Sequence, residues 1–209
     1  MELSSSDLII YGAGGHAKVV ASTALAAGLK VSCLIDARRE LEGTTVLGIP
    51  VRHEDSVVLR SRPKAIIGIG NNATREKIAS RLESRVTWLT LIHPRAWCCP
   101  SARLGAGTVV FAGAIVQPDV RIGSHVVINT AASVDHDCKI SDFCQLAPGV
   151  ALSGAVTLGE RSFLGTNSAV RQGINISRDI TVGVGAVVVK DLSEAGTYIG
   201  APARLIAGT

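Results

Sequence analysis

At 209 residues and 47% hydrophobic, the chain has enough apolar material for one large core or two small ones, which excludes an intrinsically disordered protein. Its formal charge is only +4, its basic residues are scattered and its aromatics reach 3%, so there is no basic patch and no stacking platform for nucleic acid. No apolar run approaches the roughly 18 residues of a membrane span, and the start, MELSSSDLIIYGAGG, has neither a basic leader nor a small-residue cleavage site; a cytoplasmic protein without membrane insertion is expected.

Residues 1–92 alternate short apolar runs with amphipathic stretches: DLIIYG, GGHAKVVASTALAAGLK, VSCLID, then KAIIGIG, NNATREKIASRLES and VTWLTLI. This reads as strand, helix, strand, twice over, and predicts a small, Rossmann-like parallel α/β domain. Gly12-Ala13-Gly14-Gly15-His16-Ala17 follows the first strand and opens the first helix, and Asp36 ends the next strand. That nearly spells the dinucleotide fingerprint, with alanine at its third glycine, so an NAD-dependent enzyme is a competing idea. Backbone amides at a helix N-terminus hold a phosphate or another anion without naming the ligand, and glycines also serve simply to turn a strand tightly into a helix. A second loop, Ile69-Gly70-Asn71-Asn72, also links a strand to a helix and is placed to close the same pocket, with Arg75 either meeting a phosphate or lying in solvent. His93-Pro94 marks the passage into the second half, residues 93–209.

From Leu104 the pattern changes. An aliphatic residue recurs at every sixth position from Leu104 and Val110 through Ile140 and Leu146 to Val182, without a slip, and the position four after each is small or β-branched. A six-residue period of this kind predicts a parallel β-helix, in which three hexapeptides make one triangular coil and the aliphatics stack along its axis. Cys138 and Cys144 then point inward as core. The five cysteines, an odd number without paired CxxC spacing, are expected to be reduced and to hold no zinc.

Within AASVDHDCKI, Asp135-His136-Asp137 places a histidine between two carboxylates. With Val134 and Cys138 inward, His136 and Asp137 fall on an outward turn, as a general base with its acidic partner or as an ordinary surface histidine. Three adjacent residues do not converge on one ion, so a metal is not expected. A prism of this kind has a flat face able to pack against copies of itself, and a threefold assembly would turn an outward residue into one lining a cleft.

IYGAGGHAKVV, LIHPRAW, INTAASVDHDCKISDF, FLGTNSAV, VGVGAVVVKD and YIGAPARLI together make the chain similar, over nearly its whole length, to the left-handed β-helix acyltransferases, and more closely to the NeuD/PglD-type sugar acetyltransferases. The resemblance implies a homotrimer with sites between adjacent β-helices, acetyl-CoA as donor, and an N-terminal domain holding a nucleotide-linked amino sugar. His136 matches the family's catalytic histidine, Asp137 its acidic neighbour, Asn129 an active-site asparagine, and Gly154 a backbone amide near the thioester. Gly14, Gly15, His16, Asp36, Arg38 and Asn71 are implied around the nucleotide, and Gln145, Thr166 and Val184 for CoA. Some relatives have histidine, glycine and glutamate where this chain has Gln145, Val184 and Asp137.

N-acetylation needs a neutral amine, a polarised thioester and a proton acceptor; histidine, with an ordinary pKa near 6.5, serves as that acceptor, and a carboxylate beside it raises its basicity. The leading expectation is transfer of acetyl to the amine of a 4-amino-4,6-dideoxy sugar on UDP, with GDP or dTDP as alternatives, for bacterial surface glycan biosynthesis. A sialic acid O-acetyltransferase and a non-enzymatic β-helix scaffold are the other readings.

Overall fold

The computed structural model describes residues 1–206 and divides into two compact units, Met1–His93 and Pro94 onward. In the first unit a six-stranded sheet runs in the order Thr45–Val46, Ile49–His53, Cys33–Asp36, Leu8–Tyr11, Lys64–Ile67, Thr87–Trp88, parallel except for its terminal hairpin. The central strands are buried on both faces and read as continuous apolar runs, as parallel strands do. Helix α1 (Gly15–Ala26) buries Ala17, Val20, Ala21 and Ala24, a spacing that keeps small side chains on one face, while α2 (Asn72–Leu82) buries Ala79 and Leu82.

The chain leaves Leu8–Tyr11 through α1 to one neighbouring strand and later returns on the other side at Lys64–Ile67. That reversal is a topological switch point at the carboxyl ends of these two strands, the place where open α/β sheets bind ligands. The hairpin Thr45–Val46/Ile49–His53 was absent from the sequence expectation. Its signal is Leu47-Gly48, both with positive φ, as a two-residue primed turn requires.

The second unit is a left-handed β-helix built as a three-faced prism. Face 1 stacks the strands Trp97–Cys98, Ile115–Val116, Ser133–Val134, Ala151–Leu152, Ala169–Val170 and Val187–Val188. Face 2 stacks Arg103–Leu104, Arg121–Ile122, Lys139–Ile140, Thr157–Leu158 and Asn175–Ile176. Face 3 contains Val109–Val110, Val127–Ile128, Gln145–Leu146, Phe163–Leu164 and Ile180–Val182. Every aliphatic of the six-residue series from Val110 to Val182 is buried, and the series continues to Val188. The small positions are buried too, and their polar members are mostly satisfied: Thr108 Oγ1 donates to Gly123 O (2.8 Å), Ser162 Oγ to Ser177 O (2.9 Å).

The corners have their own period. Asp119, His125, Ala131, Asp137, Phe143, Ala155, Arg161, Asn167 and Asp179 all have positive φ, with Gly107, Gly113, Gly149, Gly173 and Gly185 filling the remaining members of the series. A left-handed residue at each corner turns the chain sharply from one face to the next. Non-glycine residues there cost roughly 1–2 kcal/mol each, which the ladders on either side hold in place.

Candidate active site

His136 sits on the corner between faces 1 and 2. Asp137 is the left-handed residue of that corner (φ 62°), and its turn swings the carboxylate back onto its neighbour: Asp137 Oδ2 lies 2.7 Å from His136 Nδ1. Asp135 Oδ1 accepts the His136 backbone N–H at 2.8 Å. The hydrogen bond to Asp137 and the charges of Asp135 and Asp137 outweigh desolvation and raise the imidazole pKa above its ordinary value. The ring is 59% exposed, so its Nε2 is open to a ligand.

One coil later, Gly154 stands directly against this ring. A Cβ at Gly154 would lie 2.7 Å from both Cε1 and Nε2 of His136, so only glycine lets the corner and the imidazole approach this closely. The stacking is tied by Ala155 N–H donating to His136 O (2.8 Å), while no hydrogen bond among the described residues engages the Gly154 N–H. Of the other histidines, His53 and His125 are buried; His53 Nε2 meets Ala37 O at 3.0 Å and His125 stacks on Phe143 at 5.2 Å.

Asn129, Thr166 and Val184 all stand on a different edge, between faces 3 and 1. Asn129 Oδ1 accepts the Thr130 N–H (2.8 Å), Thr166 and Val184 occupy equivalent positions on successive coils, and Val184 is 78% exposed. Gln145 lies on face 3, buried, its Oε1 without a hydrogen bond. A single chain therefore brings together His136, Asp137 and Gly154, but separates them from Asn129, Thr166 and Val184 by the width of face 1.

Cys138 and Cys144 point inward, as expected, their thiols donating to Ser153 O (3.3 Å) and Gly159 O (3.0 Å). Burial pushes the Cys138 thiol up to about 11. Among the described residues no group of three or more His, Cys, Asp or Glu side chains is placed to hold a metal ion, and no helix is long and apolar enough to cross a membrane.

In the first unit the two glycine loops meet. A Cβ on Gly12 (φ 107°) would strike Ile69 at 2.9 Å, so the close approach of the second loop is a steric reason for the first glycine of the fingerprint-like stretch. Gly14 is the N-cap of α1 and supplies no side-chain cap, and the first turn holds no acidic residue, so the positive end of the helix is not offset by its own first-turn side chains. By contrast Asn71 caps α2 itself, its side chain accepting the Thr74 N–H at 2.9 Å. Asp36 ties the first loop down: it accepts the Ala13 N–H (2.8 Å) and the Arg38 guanidinium (2.9 and 3.0 Å), and the Arg38 bonds foremost hold its pKa at about 2. Gly15 is exposed at the start of α1; burial, then the charge of Arg75, lowers His16 to about 4, so it is neutral at pH 7. Arg75 neither reaches solvent nor offers a charge to a phosphate. It is buried, donating to Ile69 O, Gly70 O and Asn72 Oδ1, because the α2 entry carbonyls need a donor there.

The description of the PglD N-terminal domain matches residues 7–82. A histidine-to-asparagine mutant of perosamine N-acetyltransferase from Caulobacter crescentus, solved with CoA and GDP-perosamine, is 38% identical, covers 97% of this chain and 97% of its own, and superposes with a TM-score of 0.90. This chain belongs to the NeuD/PglD-type sugar acetyltransferase family. The acetyltransferase domain of PglB from Neisseria gonorrhoeae FA1090, solved with acetyl coenzyme A, is 36% identical to this NeuD/PglD-type chain over 97% of it and 100% of the domain, at a TM-score of 0.89. UDP-N-acetylbacillosamine N-acetyltransferase of Bacillus subtilis (strain 168) is 37% identical over 111 residues, 51% of each protein. The chain spans about half the length of the curated relatives it matches.

Proposed function

We propose that this chain transfers acetyl from acetyl-CoA to the amino group of a nucleotide-linked 4-amino-4,6-dideoxy sugar, with His136 as general base. The observation that carries the reading is the exposed imidazole fixed by Asp137 at Nδ1 and packed on Gly154 on the Nε2 side. The neutral amine attacks the thioester carbonyl; His136 Nε2 takes the amine proton as the C–N bond forms and returns it to the sulfur as the C–S bond breaks. Asp137 fixes the tautomer and the ring, and the Gly154 N–H is the donor for the developing oxyanion. Direct attack is supported at this corner by Cys138, the thiol next to the His136–Asp137 pair, which faces the core with its pKa pushed up to about 11.

The first unit holds the nucleotide. Its strand reversal, the N-terminus of α1 at Gly14 and Gly15, and the Arg38 guanidinium held by Asp36 form a receiver for phosphate; His16 and Asn71 border it. UDP is the nucleotide placed first, with GDP and dTDP as alternatives, since one relative is named for a UDP sugar and another is solved with GDP-perosamine.

Assembly is a homotrimer through face 1. Its outward residues, Trp97, Ile115, Ser133, Ala151, Ala169 and Val187, carry no charge, and Trp97 and Ile115 are 49% and 41% exposed. Three prisms with face 1 turned to a common axis set the His136 edge of one chain beside the Asn129–Thr166–Val184 edge of the next. CoA would lie in that cleft.

Thiol release from acetyl-CoA, measured with UDP-, dTDP- and GDP-linked 4-amino sugars, tests the reading. Turnover with one of them, lost in His136→Ala, is expected; a folded protein inactive with all three overturns it.

A further inference from the structure

Face 2 carries cations in register: Arg103 stands opposite Arg121, and Arg121 opposite Lys139, on successive rungs about 4.8 Å apart. Like charges directly opposite each other on a sheet repel. Several other arginines are matched with acids, Arg38 with Asp36, Arg39 with Asp55, Arg81 with Glu54 and Arg161 with Asp179, and Arg75 with backbone carbonyls. Arg103 and Arg121 are both exposed, and no hydrogen bond or ion pair among the described residues engages either guanidinium.

The two arginines line a concavity of about 300 Å³ with Ser101 and Asp119. Ser101 Oγ accepts the Asp119 N–H at 3.0 Å, which leaves the hydroxyl proton to the Cys99 thiol at 3.5 Å or to a ligand. One carboxylate faces two guanidiniums, so the site keeps a net positive charge. Its position matters as much as its sign. Ser101, Asp119 and Asp137 occupy equivalent places on successive coils, so the concavity lies on the same edge of the prism as His136, one and two coils before it.

We propose that Arg103 and Arg121 form a second anion subsite, separate from the N-terminus of α1, that takes a phosphate group of one of the two nucleotide-bearing substrates as it enters the cleft at His136. The identity of those substrates rests on the acetyl-transfer reading; the need for an anion rests on the unmatched arginine pair. Two sources share this chemistry, the diphosphate of the sugar nucleotide and the phosphates of CoA.

Calorimetric titration of CoA, 3′-dephospho-CoA, UDP and GDP into the wild type and an Arg103→Gln/Arg121→Gln variant, at low and moderate salt, separates the cases. Loss of about tenfold or more in affinity for one source is expected, as for charge-assisted bonds to phosphate, with a shallower salt dependence and recovery in Arg103→Lys/Arg121→Lys. Loss confined to UDP or GDP assigns the sugar nucleotide. Loss for CoA assigns CoA, and to its 3′-phosphate where dephospho-CoA binds both proteins alike. Arg60→Gln, the same charge change at an arginine paired with Glu2, should leave all four affinities unaltered. A merely structural role would lower the melting temperature, whereas relief of like-charge repulsion leaves it equal or higher. Equal affinities in wild type and variant overturn the proposal, as does a wild type that binds none of the four. A wild type that binds them with this arginine dependence yet acetylates no amino sugar refutes the acetyl-transfer reading and leaves the subsite standing.

Discussion

Gly154→Ala isolates one contact of the site. The added Cβ would lie 2.7 Å from His136 Cε1 and 2.7 Å from Nε2, against roughly 3.5–4.0 Å for an unstrained carbon contact, so the ring has to retreat by about 1 Å. The backbone at Gly154 is not left-handed and the corner lies outside the axial core, so neither strain nor lost packing confuses the result. The imidazole is tethered to Asp137 at 2.7 Å and cannot slide freely; it tilts and weakens that bond. Misplacement by about 1 Å costs on the order of a hundredfold in rate, equivalent to about 2.7 kcal/mol on the barrier. The assay is kcat/KM for thiol release, run beside an NMR titration of His136, whose raised pKa should fall toward its ordinary value. A Gly154→Ala protein with kcat/KM within about twofold of wild type and an unchanged His136 titration would show that the close approach has no catalytic purpose.

Asp137→Asn removes the largest cause of the raised His136 pKa, so the acidic limb of the pH–rate profile should move to lower pH while the maximal rate falls; an unmoved limb would contradict the pairing. His16 predicts acid lability in the first unit: its folded pKa, about 4, lies below the unfolded value near 6.5, so stability is complete above pH 6.5 and is lost as pH falls toward 4. After discounting for partial exposure the loss is on the order of 2 kcal/mol, and urea melts of His16→Gln should lack that slope.

The β-helix was legible because a strict six-residue aliphatic period stacks its aliphatics along one axis, and every position of that period from Val110 to Val182 is buried. The corner was half legible: His136 and Asp137 were placed outward by their neighbours, but the bond between them depends on the left-handed turn at Asp137, and non-glycine residues do not announce positive φ in sequence. Gly154 was reached only through the family resemblance, which implied a backbone amide there; its reason, contact with the His136 ring one coil earlier, is a tertiary fact. Arg75 misled because an arginine near a glycine loop suggests an anion, whereas here it satisfies backbone carbonyls at the α2 entry. Ile49–His53 was missed because Pro50 reads as a loop, although it sits where the strand's alternate burial leaves it half-exposed.

A site divided between two edges of one prism makes a further demand. In the proposed trimer each cleft draws His136 from one chain and Asn129 from its neighbour, so a chain lacking one retains a sound edge for the other. His136→Ala and Asn129→Ala homotrimers should each be severely impaired. Unfolded together in equal amounts and refolded, they reassort at random, and a cleft is whole when an Asn129→Ala chain supplies His136 and the next chain is a His136→Ala one. The chance of that is about one in four, so roughly a quarter of wild-type activity should return. Surface mutations of stability alone would not produce this recovery, because each chain would carry its defect into every cleft it joins. Co-assembled trimers with no recovered activity would refute a cleft shared between His136 of one chain and Asn129 of the next, and with it the trimer through face 1.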